Sequence, residues 1–236
     1  MLHTITAGIT DISSVVEDII KSHVDGVVIY NDKLKIEEVN ELSKYNIPIV
    51  MIGNHVSGER LCSVYVDIEK AIYELTSKYL EEGKEKIAIL EDRKNPYTCD
   101  QMVKGAERAF KQRNKEFNGF LKIPAEDRTS YSFLSKHFKD HSYDLIIANR
   151  DSQAMAVINS ARENQLDVPN DLEVVCVIDS KYNSVMRPQI SSFSIPSYDL
   201  GAVSMRVMTK MLQSEEEQED SIELSYLFTP RQSTKD

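Results

Sequence analysis

Tryptophan is absent from this chain and cysteine is scarce: Cys62, Cys99 and Cys176 are the full set, with no Cys-x-x-Cys pair. An odd, scattered set of thiols argues against a disulfide framework and fits a reducing compartment, so a cytoplasmic location is expected. No apolar run reaches the roughly 18 residues that a membrane span needs. The opening "MLHTITAGIT" lacks the basic n-region and long apolar h-region of an export signal. Enzyme signatures are missing too: there is no GxSxG, no GxxxxGK[ST] and no HExxH, so neither catalysis nor a cofactor is expected. Histidine is sparse and dispersed, at His3, His23, His55, His137 and His141. The last two fall four apart in "FLSKHFKDHS", read as a helix. That spacing can chelate a metal, but no carboxylate-rich strand end lies near them, so a solvated pair is the better reading and no metal is expected. Positive charge is also short, with 28 Lys+Arg against 38 Asp+Glu and a formal net charge of -10. Such a chain repels phosphate backbones, which weighs against nucleic-acid binding by this chain alone and leaves room for a basic partner.

What remains is an ordinary core-forming chain of 236 residues, 41% hydrophobic. Its length suits one large α/β unit or two intimate lobes. Short β-branched runs alternate with helix-length amphipathic stretches. "DGVVIY", "IPIVMIG", "SVYVD", "KIAILED", "YDLIIANRD" and "EVVCVID" read as strands. "KIEEVNELSKYN", "DIEKAIYELTSKYLEEG", "CDQMVKGAERAFKQRN" and "DSQAMAVINSAREN" read as helices. "QSEEEQEDS" is an acidic loop, and "IELSYLFTPRQS" a last strand. Continuous apolar strands separated by helices imply an α/β fold with parallel sheets covered on both faces. Ligands of such sheets sit beyond the carboxyl ends of the strands. Those ends are Gly53-Asn54, Glu91-Asp92-Arg93, Asn149-Arg150-Asp151 and Asp179-Ser180. Arg150 can clamp an anion bidentately, or pair internally with Asp151 or Asp179. Asp179 can hold ligand hydroxyls, or cap the helix that follows.

The segment "RPQISSFSIPSYDLGAVSMRVMTK" carries one more feature. With Ser197 as N-cap and Asp199 in the first turn, a helix begins after Pro196. Leu200, Val203, Val207, Met208, Met211 and Leu212 then share one broad face. Tyr198, Asp199, Ala202, Arg206, Thr209 and Lys210 fall on the opposite arc. Arg206 and Lys210, one turn apart, repel by roughly 0.2–0.5 kcal/mol. Two readings stand: a solvated face, or a docking surface for an anionic partner with Arg206 as the phosphate fork. Gly201, costly near a helix start by about 1 kcal/mol, predicts something packed closely against it.

These residues carry a resemblance. "VDGVVI", "IPIVMIG", "SVYVDIEKAIYELTSKYLEEGKEKIAIL", "KGAERAF", "DSQAMAV", "VPNDLEVVCVID" and "MRPQISSFSIPSYDLGAVSMRVMTK" resemble the effector-binding core of the lac-repressor/galactose-repressor family of bacterial transcription regulators. The last block resembles its carbon-catabolite-control branch. The resemblance implies two Rossmann-like lobes of the periplasmic-binding-protein-like type I fold, residues 1–63 plus 192–214 and residues 64–191 plus 222–236. It implies a homodimer, and a small effector such as a sugar phosphate in the cleft, with Arg150 and Asp179 lining the pocket. It also implies a protein corepressor, the phosphocarrier HPr phosphorylated on serine, gripped by Arg206 with Tyr198 and Lys210 beside it. Operator DNA would be bound only through an N-terminal helix-turn-helix that this sequence does not contain. "MLHTITAG" aligns with the family's second strand, so the first strand and helix of the N-terminal lobe are expected to be missing. The family's sugar-clamping arginine aligns with Met102, and a strand-end aspartate of some members with Gly53, which argues against ordinary sugar binding. Two alternatives remain: a sugar receptor of the related periplasmic class, and a family regulator sensing only a small molecule.

Overall fold

The computed structural model describes residues 17, 19–30, 44–124, 126–213 and 219–235. Residues 1–8, His3, most of the expected helix over 35–46 and the centre of the acidic run, 214–218, lie outside them. The chain forms two compact units, Met1–Val66 with Pro196–Leu224, and Asp67–Ile195 with Ser225–Asp236.

In the N-terminal unit, β1 (Val27–Tyr30), β2 (Ile49–Ile52), β3 (Leu61–Tyr65) and β9 (Ser221–Glu223) form a sheet in the order β1-β2-β3-β9. The pairings among the described residues are parallel. Ile49, Val50 and Met51 are fully buried, as expected of a strand covered on both faces. The helix α6 (Ser197–Gln213) packs on β1, β2 and β3.

The C-terminal unit holds β4 (Ile87–Leu90), β5 (Phe120–Leu121), β6 (Leu145–Ala148), β7 (Glu173–Cys176), β8 (Ser191–Ser194) and β10 (Leu227–Thr229). Their order is β10-β8-β7-β6-β4-β5. Only β10 runs antiparallel, along β8; the other pairings are parallel. Four helices of eleven or more residues cover the sheet: α1 (Ile68–Glu81), α2 (Pro96–Lys111), α3 (Asp127–His137) and α4 (Asp151–Glu163). The five-residue α5 (Lys181–Val185) follows β7. The core runs from Ala88 and Leu90 through Ile146, Val157 and Ile158 to Val174 and Ile190.

The reasons are local. Asp67 caps α1 by accepting from Lys70 N–H at 2.8 Å, and Gly83 just past its end takes φ +76°, a value that favours glycine. Pro96 opens α2 where a missing N–H costs nothing. A Cβ on Gly105 would lie 2.4 Å from Glu69 O, so α1 and α2 approach closely only because that residue is glycine.

Three readings need correction. "IELSYLFTPRQS" is not one strand: β9 joins β3 in one unit and β10 joins β8 in the other. "SSFS" within the Arg187–Lys210 segment is a strand that serine-rich composition conceals. The helix expected to carry both histidines ends at His137, and His141 stacks back on it at 4.0 Å from beyond the helix. His137 Nε2 bonds Tyr143 Oη at 2.7 Å, so the pair serves an aromatic cluster. Among the described residues no group of three or more His, Cys, Asp or Glu side chains is placed to hold a metal. The two units divide at 66/67, 195/196 and 224/225. Residues 222–224 go with β3 through β9. The last residues go with the C-terminal unit, where buried Ser233 donates to Val174 O at 2.5 Å and accepts from Ser191 N–H at 2.8 Å.

Candidate functional site

The strand order β5-β4-β6-β7-β8 decides where polar groups converge. After β4 the chain crosses to one side of it to form β5, then returns to the other side for β6. The loops leaving β4 and β6 therefore diverge, and their carboxyl ends form the switch point, at whose crevice doubly wound sheets bind ligands. Asp92 leaves β4 there, and Asn149 and Arg150 leave β6. Asp92 is 2% exposed and Asn149 fully buried. Arg150 Nε donates to both oxygens of Asp92, at 3.3 and 3.2 Å, and its Nη1 to Ser152 Oγ at 2.8 Å. Asp92 also accepts from Asn149 Nδ2 at 2.7 Å, Asn95 Nδ2 at 2.8 Å and Lys94 N–H at 3.1 Å. Burial acts to raise its carboxyl. The bonds from Asn95 and Asn149 and the Arg150 charge outweigh this and hold it below the ordinary value. Asn149 Oδ1 has no hydrogen-bond partner among the described residues.

Asp179 lies one strand over, beyond β7. Arg231 pairs with it at 3.1 Å, and Ser192 Oγ donates to it at 2.8 Å. Burial again pushes the carboxyl up, and the Arg231 and Ser192 bonds bring it below the ordinary value. Ser180, not Asp179, caps α5, accepting from Tyr182 N–H at 3.1 Å. Ser180 also donates to Asp151 Oδ2 at 2.6 Å. Arg150 thus bonds Asp92, which was not among the partners suggested for it, while Asp151 is engaged by hydroxyl and amide, and Asp179 by Arg231. Asp92 stands in the sequence at a strand end but shows no sign there of its partner. Arg231 lies 52 residues from Asp179 and carries no local signal.

The α6 face is built the other way. Leu200, Val207, Met208 and Met211 are buried, with Ser204, whose Oγ donates to Leu200 O at 2.6 Å. Val203 is half-buried and Leu212 is half-exposed, so the apolar face is narrower than its sequence. Tyr198, Asp199, Ala202, Arg206, Thr209 and Lys210 are all exposed, Tyr198 to 86%. Met205, 48% exposed, lies in the same arc. Arg206 makes no hydrogen bond or ion pair with the described residues. The helix starts at Ser197, so Pro196 occupies the cap and its carbonyl accepts from Leu200 N–H at 2.9 Å. The expected close packing at Gly201 is absent: among the described residues nothing lies within 4 Å of a Cβ placed there.

Met102 is fully buried in the core side of α2, and Gly53 ends β2 at φ +90°. No helix among the described residues is long and apolar enough to cross a membrane.

Comparison with known proteins gives the fold its relatives. Catabolite control protein A of Priestia megaterium is 30% identical over 217 residues, which cover 90% of this chain and 65% of that protein. The chain thus spans just under two thirds of the length of the curated relatives it matches. The crystal structure of transcription regulator CcpA of Lactococcus lactis superposes with a TM-score of 0.78 at 24% identity, covering 94% of this chain and 82% of that one. A LacI family transcriptional regulator from Enterococcus faecium, solved with bound ribose, superposes at 0.77 with 18% identity, covering 93% and 82%. These relatives are bacterial transcription regulators, and the match to the periplasmic binding protein-like domain runs over residues 76–234. That match, over more than half of the chain, establishes that the chain belongs to the periplasmic binding protein-like domain family.

Proposed function

We infer that this chain is the effector-sensing and dimerising core of a bacterial transcription regulator in carbon catabolite control, and that it answers to HPr phosphorylated on serine. It is a binding module of the cytoplasm rather than an enzyme, and reaches operator DNA only through a separate DNA-binding domain. One observation carries the reading: α6 exposes Arg206 without a partner among the described residues, with Tyr198 and Lys210 on the same arc. An exposed guanidinium fork flanked by a second cation and an aromatic ring suits a phosphoserine on a protein surface. The similarity to catabolite control protein A supports it. Exposed Tyr182 and Val185 on α5 supply apolar surface for a homodimer.

Titration of serine-phosphorylated HPr onto the protein and onto Arg206→Ala tests this. Binding should weaken about thirtyfold in the variant, or about 2 kcal/mol. Equal binding by both proteins, or equal binding of unphosphorylated HPr, rejects the Arg206 assignment.

A second reading rests on the switch point of the C-terminal unit. Arg150 and Asp179 stand beyond the carboxyl ends of β6 and β7, where sheets of this kind hold small ligands, which supports a small effector acting beside HPr or instead of it. Under the second alternative a sugar, nucleoside or sugar phosphate raises the melting temperature and phosphorylated HPr does not.

A further inference from the structure

The switch-point arginine is already in use. Bidentate recognition of a phosphate or carboxylate needs a guanidinium edge that is open. Here Arg150 Nε is bonded to both oxygens of Asp92 and Nη1 to Ser152. The arginine side chain is 18% exposed and the aspartate 1%. Three further donors, Asn95, Asn149 and the Lys94 N–H, hold Asp92 from the other directions. An incoming anion must displace this carboxylate, strip a buried charge of its counter-ion, and sit beside it at like-charge distance. Each of those steps opposes binding. The neighbouring acid does not relieve this: Asp151 accepts from Ser152 N–H and Ser180 Oγ, and adds a second carboxylate beside the site.

We propose that Asp92 is the specificity-determining residue of the switch-point site: it occupies Arg150 as an anionic effector would, and so closes the site to phosphate- and carboxylate-bearing ligands. The proposal rests on the reading of this crevice as the effector site and reverses the charge preference that Arg150 suggests on its own. What the switch point keeps without a donor among the described residues is an acceptor, the buried Asn149 Oδ1. An orphan acceptor matches a ligand hydroxyl rather than an anion.

Inorganic phosphate is the probe, applied to the 236-residue chain, to Asp92→Asn, and to Asp92→Asn combined with Arg150→Gln. In the wild type the Arg150 Nε–H resonance should not move at millimolar phosphate. In Asp92→Asn it should move, with phosphate affinity at least about tenfold tighter (about 1.4 kcal/mol), and the double variant should lose that gain. Movement of the wild-type resonance overturns the proposal, and so does a folded Asp92→Asn that gains no affinity. The wild-type arm needs no variant to fold. A parallel titration with uncharged sugars, read at the backbone amides of 149–152 and 179–180, tests the effector-site reading separately. Silence there removes that reading, while the phosphate arms still decide what Asp92 does to Arg150.

Discussion

The switch point of the C-terminal unit and the outer face of α6 both carry the polar residues that the sequence singles out, and they treat charge in opposite ways. At the switch point every buried charge has a countercharge or several donors: Arg150 has Asp92, and Asp179 has Arg231. On α6, Arg206 is exposed with no partner among the described residues. A charge in water can wait for a partner at almost no cost; a charge in a crevice cannot. Folding therefore fills the crevice with the protein's own groups and leaves the helix face open. The two regions differ accordingly in what a mutation should reveal. The crevice residues should report mainly in stability, the helix residues mainly in binding.

The sharpest break of that contrast is Asp92→Ala. It removes a buried carboxylate and leaves Arg150, Asn95 and Asn149 with lost partners, so unfolding in urea should show a loss of about 3–5 kcal/mol. A loss below about 1 kcal/mol would mean that solvent already screens the pair, and the contrast with α6 would collapse. Acid reaches the same groups. Both Asp92 and Asp179 are held below the ordinary 3.8 in the folded state. Their contribution is present in full above that value and is lost as pH falls through the depressed folded values. Stability against pH should therefore drop below pH 3.8, and in Asp92→Asn the drop should be shallower.

Next in size is Arg206→Ala, which should do the reverse. HPr binding falls about thirtyfold, yet the urea midpoint should move by no more than about 0.5 kcal/mol. Removing one of two cations a turn apart relieves a repulsion of roughly 0.2–0.5 kcal/mol, so any shift should be towards stability. A large loss would place Arg206 in the fold rather than on a docking face.

The contrast also explains what could be read from the sequence. Strands such as "KIAILED" and "EVVCVID" were legible because parallel strands buried on both faces are continuous apolar runs. The exposed arc of α6 was legible because helical spacing alone assigns it. Pairing across the sheet was not. Asp92 meets Arg150 across 58 residues, and Arg231 meets Asp179 across 52. No periodicity encodes such contacts; they follow from strand order. β8, "SSFS", was hidden for a related reason. Its buried serines bond to Arg231, Ser233 and Thr234, which arrive from the chain's far end. Gly201 misled in the other direction, because a glycine in a helix has two possible causes and sequence does not tell them apart.

Gly201 yields the smallest effect and the finest test of the comparison. A methyl group there meets nothing within 4 Å among the described residues, and φ lies in the ordinary helical range. Gly201→Ala should therefore stabilise the chain by about 0.4–1 kcal/mol through the entropy of the unfolded state. No packing among the described residues accounts for the glycine. If it is kept for the approach of a partner to the face that bears Tyr198, Ala202 and Arg206, the same substitution should weaken HPr binding while raising the melting temperature. Opposite signs in the two measurements would extend the docking surface to the first turns of α6. A gain in stability with unchanged binding would confine that surface to the Arg206 and Lys210 end of the helix.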